Sequence, residues 1–531
     1  MKVNQYFILI LLLAVVCLAL SGCQGFNRWL FVDDTPPVTP SVAPTTPPAT
    51  PSVSYKNDLF GVSWSGQTVI HPLTNDNRFD AQWLPLVYEG LFWLDDAFQP
   101  MPLLCVNYTT EDNLTFVFTI HAGVTFHDGT RLTAEDAAWS LITARNANPY
   151  AARLEDMLTA RALDDTTLEV QLARPNPHLP ALLTIPIVPA GSEILDVAPG
   201  TGPYIPIMDP SFPHLRPFDA WWQRKPLPLD RLELIEVSSG DQLIYAFESR
   251  RLSLVIYNPS DTTGVRFRGD YETWEYDTTI LEYIGFNTTR APTNNPMMRQ
   301  ALAASVDRQA ISEDEANSRW TIPTALPVHP AAHSLYDPAL AEEFAFDLAR
   351  MSELFAEMGY EGRNEDGVLE VKKGRRYYPL EIVMVVCVEN DHHVRAAQRI
   401  ADTLIEEGVS VQLEELPKSA YLEALNKGDF DLYYGAVTLT ADFSPLPFFK
   451  DGSLGFGGFY SAETLARWDD MVAETEETTA WIAFWESFME QAPIVPVLFQ
   501  QQAVLMQRGL TTNPRPVWEN LFLHLPEWKI D

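Results

Sequence analysis

The sequence predicts an α/β protein built from more than one lobe. Three observations indicate this fold class: the length, the apolar content, and an alternation of strands and helices towards the C-terminus. The chain has 531 residues, more than one hydrophobic core normally accommodates, so two or three lobes are expected. Hydrophobic residues make up 46% and aromatic residues 11%, which is enough to fill large folded cores.

The alternation of strands and helices lies in the C-terminal half. An apolar, β-branched run over Leu380–Val388 predicts a buried strand, and the helix after it has an apolar face that includes Ile405. A half-buried strand, a second helix and a strand over Phe430–Tyr434 complete a β-α-β-α-β unit. Such units form parallel wound sheets, whose ligands bind beyond the carboxyl ends of the strands. The loop that follows the last strand contains Asp442 and is therefore a favoured ligand position.

The first part of the folded sequence, from about Tyr55, mixes strands and helices. Residues Leu114–Ile120 largely alternate apolar and polar side chains, as a half-buried strand does. Asp128-Gly129 predicts a turn, and Thr133 with Asp136 fits a capping box that opens a helix.

The net charge excludes one class of partner. Lys and Arg number 36 against 71 Asp and Glu, a formal charge of −35. Such a chain repels phosphate backbones, so nucleic acid is not expected as a partner. The charge could steer cationic ligands into an acidic cleft, but a solvated acidic surface explains it equally and is the simpler interpretation.

The N-terminus predicts export and lipid attachment. Lys2 precedes an apolar run over Tyr6–Leu20, which is shorter than the roughly 20 residues a membrane-spanning helix needs. The run ends in Leu20-Ser21-Gly22-Cys23, which resembles the bacterial lipobox. That resemblance implies a signal peptide over residues 1–22 and acylation of Cys23, with a plain secretory signal or a short anchor as the alternatives. Residues 23–53 then form a lipidated, Pro/Thr-rich tether.

The other cysteines and the histidines give no metal pattern. Cys105 and Cys387 could form one disulfide in an oxidising compartment, but separate buried thiols suit their apolar surroundings better. His392-His393 begins a helix with no other histidine near it in sequence, so a metal site is not expected there. The sequence predicts no cofactor.

Several short motifs follow one another along the chain. They are Tyr88-Glu89-Gly90-Leu91, Phe126–Thr130 with Thr133–Asp136, Gly200–Tyr204, Gly285-Phe286-Asn287, Arg299–Leu302 with Val306-Asp307-Arg308, and Ala492–Pro496. Together, in this order and spacing, they resemble the family 5 extracellular solute-binding proteins, the oligopeptide-, dipeptide- and nickel-binding components of ABC importers. Each motif alone is weak, and most are expected to shape the backbone rather than to contact a ligand.

The resemblance implies a two-lobed, type II periplasmic-binding-protein-like (Venus-flytrap) fold with an extra α+β subdomain inserted in lobe 1. Lobe 1 would comprise residues 54–83, 186–287 and 496–531, the inserted subdomain residues 84–185, and lobe 2 residues 288–495. The hinge would lie where the chain crosses between the lobes, near Phe286-Asn287 and near Pro493–Pro496.

The resemblance also implies ligand-binding residues. Asp442 and Phe443 lie in a segment, residues 441–445, that resembles the one whose aspartate holds the peptide α-ammonium in peptide-binding members. A carboxylate suits that role in a closed cleft, although a loop aspartate that caps a turn is the alternative. Trp64, Tyr257 and Trp320 are candidate cleft aromatics by analogy of position, with core packing as the alternative.

Three departures from the pattern of the peptide-binding members indicate an altered ligand. Leu439 falls where these members often carry tryptophan, and Ser444 replaces the acidic residue that precedes their proline. The asparagine usual in their glycine-rich loop is absent from residues 452–458.

These observations predict a monomeric binding protein rather than an enzyme. It would capture a small solute, a peptide in the first instance, by hinge closure and present it to the permease subunits of an ABC importer at the cell surface or in the periplasm. A nickel chelate, an opine or a sugar are alternative solutes, and a solute sensor is an alternative role. A secreted hydrolase is disfavoured because the sequence has no G-x-S-x-G, H-E-x-x-H or P-loop motif.

Overall fold

The structure is a computed structural model that describes residues 60–258, 267–313, 320–473, 478–511 and 513–530. The signal peptide and the tether predicted for residues 1–53 lie outside these ranges. The chain from Ser54 onward forms one compact unit. Within the described residues, no helix is long and apolar enough to cross a membrane.

The strands of the described residues are short in the N-terminal half and include two long ones in the C-terminal half. They are β1 Phe60–Trp64, β2 Phe92–Leu94, β3 Pro100–Pro102, β4 Cys105–Thr110, β5 Thr115–Ile120, β6 Met157–Ala162, β7 Thr167–Leu172, β8 Tyr204–Ile207, β9 His214–Pro217, β10 Leu232–Glu236, β11 Leu254–Tyr257, β12 Tyr271–Phe286, β13 Thr321–Pro323, β14 Gly362–Arg363, β15 Leu369–Lys373, β16 Arg376–Pro379, β17 Glu381–Cys387, β18 Ser410–Leu416, β19 Leu432–Thr438 and β20 Ile494–Gln507.

The helices are longest in the C-terminal half. They are α1 Leu84–Val87, α2 Ala134–Arg145, α3 Leu179–Leu182, α4 Gly240–Glu248, α5 Pro296–Ala304, α6 Arg308–Ser312, α7 Pro338–Glu343, α8 Leu348–Glu357, α9 Asp391–Glu406, α10 Lys418–Lys427, α11 Ala462–Ala473 and α12 Thr478–Gln491.

Three larger sheets organise the fold. The first has the order β1-β10-β9-β8, and the second is an antiparallel sheet of order β4-β5-β7-β6 against which α2 packs. The third has seven strands, in the order β11-β20-β12-β19-β17-β18 with β13 beside β20. The second sheet and α2 lie within the predicted inserted subdomain. The helix begins as the sequence predicts, because the Thr133 N–H donates to the Asp136 carboxylate over 2.8 Å.

The long strands β12 and β20 run the length of the seven-stranded sheet. Residues 271–277 of β12 pair with residues 501–507 of β20 beside β11, whereas residues 281–286 lie between β19 and residues 494–499. The register shifts between Asp277 and Leu281, and the Thr278 hydroxyl donates to the Gln500 carbonyl oxygen over 2.6 Å at this break. The predicted crossings near residues 286–287 and 493–496 lie at the far ends of these strands. The lobe boundaries stay predictions.

The predicted β-α-β-α-β unit is present as β17, α9, β18, α10 and β19. Strand β17 lies parallel to both β18 and β19, which places the ends of all three strands at one edge. Five alanine, isoleucine and leucine side chains of α9 are buried, but Ile405 is 51% exposed, so its predicted place on the apolar face is wrong. Ile405 follows Leu404 directly and therefore lies about 100° further round the helix, beyond the edge of the buried stripe.

Cys105 and Cys387 are both free thiols, so the disulfide alternative is wrong. The predicted burial holds for Cys105, whereas Cys387 is only half-buried. Cys105 is buried at the start of β4, where its Sγ contacts the Asn107 carbonyl oxygen over 3.1 Å.

Candidate functional site

A cavity of about 1090 Å³, here called the main cavity, lies in the N-terminal half of the fold. Its walls come from residues 75–103, 149–153 and 184–186, from residues 203–258 with Phe267 and Tyr276, and from Gln502 with residues 518–527. The volume exceeds the roughly 300–1,000 Å³ that is usual for small-molecule sites. The main cavity is therefore large enough for a solute of several linked groups.

Glu89 is a buried carboxylate in the wall of this cavity. Its Oε2 accepts hydrogen bonds from the Thr201 hydroxyl and the Trp222 ring N–H, each over 2.8 Å. Its Oε1 accepts from the Trp221 ring N–H and the Gln223 amide, each over 3.2 Å. Burial raises the pKa of Glu89 to about 7, against the four hydrogen bonds, which lower it.

The sequence motifs meet behind this wall. The Gly200 N–H donates to His127 Nδ1 over 3.3 Å, and His127 Nε2 lies 3.0 Å from the Gly202 carbonyl oxygen. A Cβ atom on Gly200 would lie 1.9 Å from the Val87 carbonyl oxygen, so only glycine fits there. Burial lowers the pKa of His127 to about 4, consistent with a neutral ring that accepts at Nδ1 and donates at Nε2. At His127 and Gly200 the motifs thus shape the backbone, as the sequence predicts, whereas Tyr88, Glu89, Gly90 and Pro203 of the same motifs line the main cavity.

An ion pair crosses the main cavity. The Arg153 guanidinium, from the predicted inserted subdomain, pairs with the Glu519 carboxylate near the C-terminus. Thr184 supports both partners: its hydroxyl accepts from Arg153 over 2.6 Å and donates to Glu519 over 2.7 Å. About a quarter of each charged side chain is exposed, so the pair faces the cavity rather than a dry core. Arg78, Lys225 and Glu527 add further charges of both signs to the lining.

Aromatic side chains cover much of the remaining lining, and the predicted residue Tyr257 is one of them. It lies at the end of β11, with ring-centroid distances of 5.8 Å to Trp320 and 6.3 Å to Phe267. Tyr257 and Phe267 line the main cavity, and Trp320 packs behind Tyr257. The other aromatic lining residues include Phe79, Phe92, Trp93, Tyr150, Tyr276, Trp518 and Phe522.

Two predicted site residues lie in packed cores. Trp64 is buried at the end of β1, and its ring N–H donates to the Gln67 carbonyl oxygen over 2.8 Å. Phe443 is buried between Phe98 and Phe499, with ring centroids 5.7 and 6.0 Å away. Neither lines the main cavity. Phe443 has a φ of 50°, in the left-handed region, which turns the backbone directly after Asp442.

Asp442 lies outside the main cavity, at a contact between two parts of the fold. Its Oδ1 accepts from the Thr440 hydroxyl over 2.6 Å, and its Oδ2 accepts from the Asn176 amide over 3.0 Å. The carboxylate is buried and all these donors are neutral. The structure therefore places Tyr257 at the main cavity and Asp442 in a separate polar cluster.

The contact around Asp442, here called the interlobe contact, joins the predicted inserted subdomain to predicted lobe 2. The Gln99 amide donates to Ser334 Oγ over 2.8 Å, and the Asn113 amide donates to the Val472 carbonyl oxygen over 3.1 Å. Further pairs include Asn176 with Asp442, Phe98 with Phe443 and with His329, and the rings of His178 and Trp481 at 5.8 Å.

His392 and His393 both contact the carboxylate of Glu282. Their Nε2 atoms lie 3.1 and 3.5 Å from the two oxygens of Glu282, a fully buried residue of β12. Burial raises the pKa of Glu282, but the two histidines outweigh it and hold that pKa well below its usual range. Among the described residues, no group of three His, Cys, Asp or Glu side chains could hold a metal ion.

Sequence reasoning missed the charged residues of the main cavity. Glu89 lies in a motif that was interpreted as a backbone element, and its partners Thr201 and Trp222 are more than 100 residues away. Arg153 and Glu519 are separated by 366 residues, and no local pattern marks either of them.

Comparison with known proteins supports the resemblance seen in the sequence. Residues 99–455 match the family model of the bacterial extracellular solute-binding proteins, family 5 Middle. The glutathione-binding protein GsiB of Pectobacterium atrosepticum is 26% identical over 289 residues, covering 51% of this chain and 55% of that protein. GsiB of Escherichia coli K12 is 25% identical over 316 residues, covering 56% and 60%. The chain thus spans a little over half the length of these curated relatives.

The solved structures are similar over most of the chain. The substrate-binding protein CtaP of Listeria monocytogenes superposes with a TM-score of 0.70 at 18% identity, covering 89% of this chain and 99% of that one. A periplasmic oligopeptide-binding protein of Thermotoga maritima gives 0.69 at 19% identity, covering 89% and 100%. AppA of Bacillus subtilis, in complex with a nonapeptide, gives 0.60 at 17%, covering 89% and 99%. These likenesses confirm the predicted two-lobed α/β fold.

Proposed function

Because this chain belongs to the bacterial extracellular solute-binding proteins of family 5, we propose that it captures a small solute, first of all a peptide, and delivers it to an ABC importer. The observation that carries the choice of solute is the Arg153–Glu519 ion pair in a large, aromatic-lined cavity. A peptide has a cationic and an anionic end and apolar side chains. Charges of both signs beside aromatic surface match those three features.

The names of similar proteins support the same solute class. They are described as binding glutathione, a nonapeptide, a murein tripeptide and a nickel–histidine complex. Each of these solutes contains at least one amino acid, with its carboxylate and amine. A nickel chelate built on amino acids is thus the best-supported alternative to a peptide, ahead of an opine or a sugar.

We place the solute in the main cavity, where Tyr257 would contact it and where Arg153 and Glu519 would pair with its charged ends. Asp442 lies outside that cavity and would be a second anionic contact, for a further cationic group of the solute that displaces the neutral Asn176 donor at the interlobe contact, because it is a buried carboxylate whose hydrogen-bond donors are neutral. Phe443 and Trp64 would support this site through packing, since both are buried in cores.

Closure of the lobes would couple capture to delivery. Strands β12 and β20 are the two long connections. We place their bend at the register shift between Asp277 and Leu281, rather than at the crossings near residues 286–287 and 493–496 that the sequence predicts at the far ends of the same strands. A solute that contacts both sides of the opening stabilises the closed form by its differential contacts. The importer would recognise that closed form, and the protein would act as a monomer.

The protein would work outside the cytoplasm, held to a membrane by acyl chains on Cys23. The test is metabolic labelling with a palmitate analogue, followed by fractionation. The natural chain is expected in the membrane fraction with label, and the Cys23→Ser variant without label and released from the membrane. Label on the Cys23→Ser variant would exclude this residue as the anchor.

Capture without chemistry separates this proposal from a hydrolase. The protein from Ser54 onward is incubated with a defined peptide pool, freed of unbound peptide and denatured, and the released peptides are identified by mass. We expect unchanged peptides at up to one per protein. Cleaved peptides that accumulate beyond one per protein would contradict the proposal and favour an enzyme. A sensor is distinguished by genetics, since loss of a sensor leaves peptide uptake intact.

A further inference from the structure

A cationic hairpin projects from the C-terminal half of a strongly acidic molecule. Strands β15 and β16 are joined by the two-residue turn Gly374-Arg375, in which Gly374 has a φ of 67° as the first position of a type II′ turn demands. Lys372, Lys373, Arg375 and Arg376 fall within five residues, although the whole chain of 531 residues has only 36 Lys and Arg. This is the densest run of positive charge in the sequence.

These four cations have no acidic partners in the described part of the chain. None of them forms an ion pair or a side-chain hydrogen bond there, whereas most other arginines of the structure do. The hairpin belongs to the three-stranded sheet β14-β15-β16, whose acidic residues lie towards its base: Glu370 on β15, and Glu365 and Asp366 in the β14–β15 turn. Glu370 can offset at most one of the four positive charges, and the β14–β15 turn lies roughly 15 Å from the tip. That distance exceeds the Debye length of about 8 Å at physiological salt, so the tip keeps a net positive charge towards solvent.

The hairpin also carries exposed aromatic surface. Every residue of β16 is exposed, and Tyr377 and Tyr378 have 58% and 44% of their surface accessible. Lys372 Nζ lies 5.5 Å from the centre of the Tyr377 ring, and Lys373 Nζ lies 5.9 Å from that of Tyr378. Successive residues of a strand point to opposite faces, so both faces of the hairpin carry a cation beside a tyrosine. Its base is fixed, because Leu369 and Leu380 are buried in the core.

We infer that this hairpin is a docking surface for an anionic phospholipid membrane, which it contacts with its tip. Clustered Lys and Arg bind anionic headgroups, and tyrosine is enriched where protein meets the headgroup region. A ribbon with cations on both faces can contact a planar headgroup surface, because such a contact does not require either face to fit into a pocket. The rest of the molecule is acidic and is repelled by such a surface, so the contact would fix one orientation. In a chain also held by the proposed acyl anchor, the hairpin is a second, reversible contact.

The test uses the protein from Ser54 onward, which lacks the anchor and contains every described element. Its partition is measured by sedimentation with phosphatidylglycerol-containing vesicles and with phosphatidylcholine vesicles, over a series of salt concentrations. We expect binding to the anionic vesicles alone, weakening as salt rises. Replacing the four cations together by glutamine, as Lys372→Gln, Lys373→Gln, Arg375→Gln and Arg376→Gln, should lower the partition coefficient roughly a thousand-fold.

A matched control separates the hairpin from overall charge. The variant Arg131→Gln, Arg268→Gln, Lys418→Gln and Lys529→Gln also removes four exposed cations, but from scattered positions. It should keep binding within about twofold of the unmodified protein if the hairpin is the contact. Equal loss in both variants, or equal binding to neutral and anionic vesicles, would overturn the inference. The inference would also be overturned if the protein failed to bind anionic vesicles but bound its importer, embedded in neutral lipid, through the four hairpin cations. That result would assign the hairpin to a protein partner.

Discussion

The Asn176 side-chain amide donates a hydrogen bond to Asp442 Oδ2 over 3.0 Å, and these residues are 266 positions apart in the chain. The bond joins the predicted inserted subdomain to the loop after β19. It places the residue proposed as a solute anchor at a contact between the two sides of the fold. A carboxylate in this position can either hold the closed form together or hold the solute, and substitutions distinguish these roles.

Removing the charge of Asp442 should weaken solute binding. An ammonium partner needs the carboxylate charge, so both Asp442→Ala and Asp442→Asn are expected to raise Kd at least about tenfold, or about 1.4 kcal/mol. Asn176→Ala is the control, because it removes the neutral donor and keeps the charge; Kd should stay equal or fall. Titration calorimetry with the identified solute measures all three. Equal weakening by Asn176→Ala and Asp442→Ala would instead show a purely structural contact.

The Arg153–Glu519 pair should lose its mutual coupling when solute binds. A double-mutant cycle with Arg153→Met and Glu519→Gln is expected to give about 1 kcal/mol of coupling in the free energy of unfolding, because the pair is partly exposed. If the solute's charged ends take over both partners, the coupling shrinks with solute present. Arg161 and Glu169 form an ion pair outside the cavity lining, and their coupling should not respond to solute. An unchanged Arg153–Glu519 coupling would exclude direct contact with the solute.

His127 should make the protein less stable in acid. Its pKa is lowered to about 4 in the folded state from about 6.5 in the unfolded chain, so the unfolded state binds the extra proton first. The free energy of unfolding is unaffected by this group above pH 6.5. It decreases as the pH falls towards 4, by up to about 3 kcal/mol. Urea unfolding at several pH values measures this. His127→Gln should be less stable at pH 7 and should show a smaller loss between pH 6.5 and 4, whereas an unchanged pH dependence would contradict the assignment.

Cross-linking the interlobe contact should trap the solute. Gln99 and Ser334 meet across this contact and are accessible, so a short bis-maleimide can join Gln99→Cys to Ser334→Cys. The natural Cys105 is buried, and the same reagent on the protein without the new cysteines is the control for Cys387. Exchange of bound solute for labelled solute should slow at least about tenfold after cross-linking, since closure gates release. Exchange at the original rate would show that this contact does not control access.

The sequence predicts the parts of the fold whose pattern is local. The β-α-β-α-β unit can be predicted because each element has its own periodicity of apolar residues. The error at Ile405 concerns a residue next to the buried stripe of its helix. The motifs predict backbone contacts correctly, as His127 and Gly200 show.

The candidate site is harder to predict from the sequence because it is assembled from distant segments of the chain. Arg153, Glu519 and Glu89 acquire partners only through folding, and nothing adjacent to them in sequence indicates those partners. The aromatic candidates illustrate the same limit. Tyr257 and Trp64 both end strands of the N-terminal half, but only the fold decides that Tyr257 faces the main cavity and Trp64 faces a core.

Native mass spectrometry of the chain from Ser54 onward, purified from its own producer, tests most directly whether the protein carries a peptide. We expect a mass excess that is lost on denaturation, with the released material identified as peptide at one molecule per protein. A protein that carries a sugar, or a metal chelate without peptide, would contradict the peptide assignment and leave capture with a different solute.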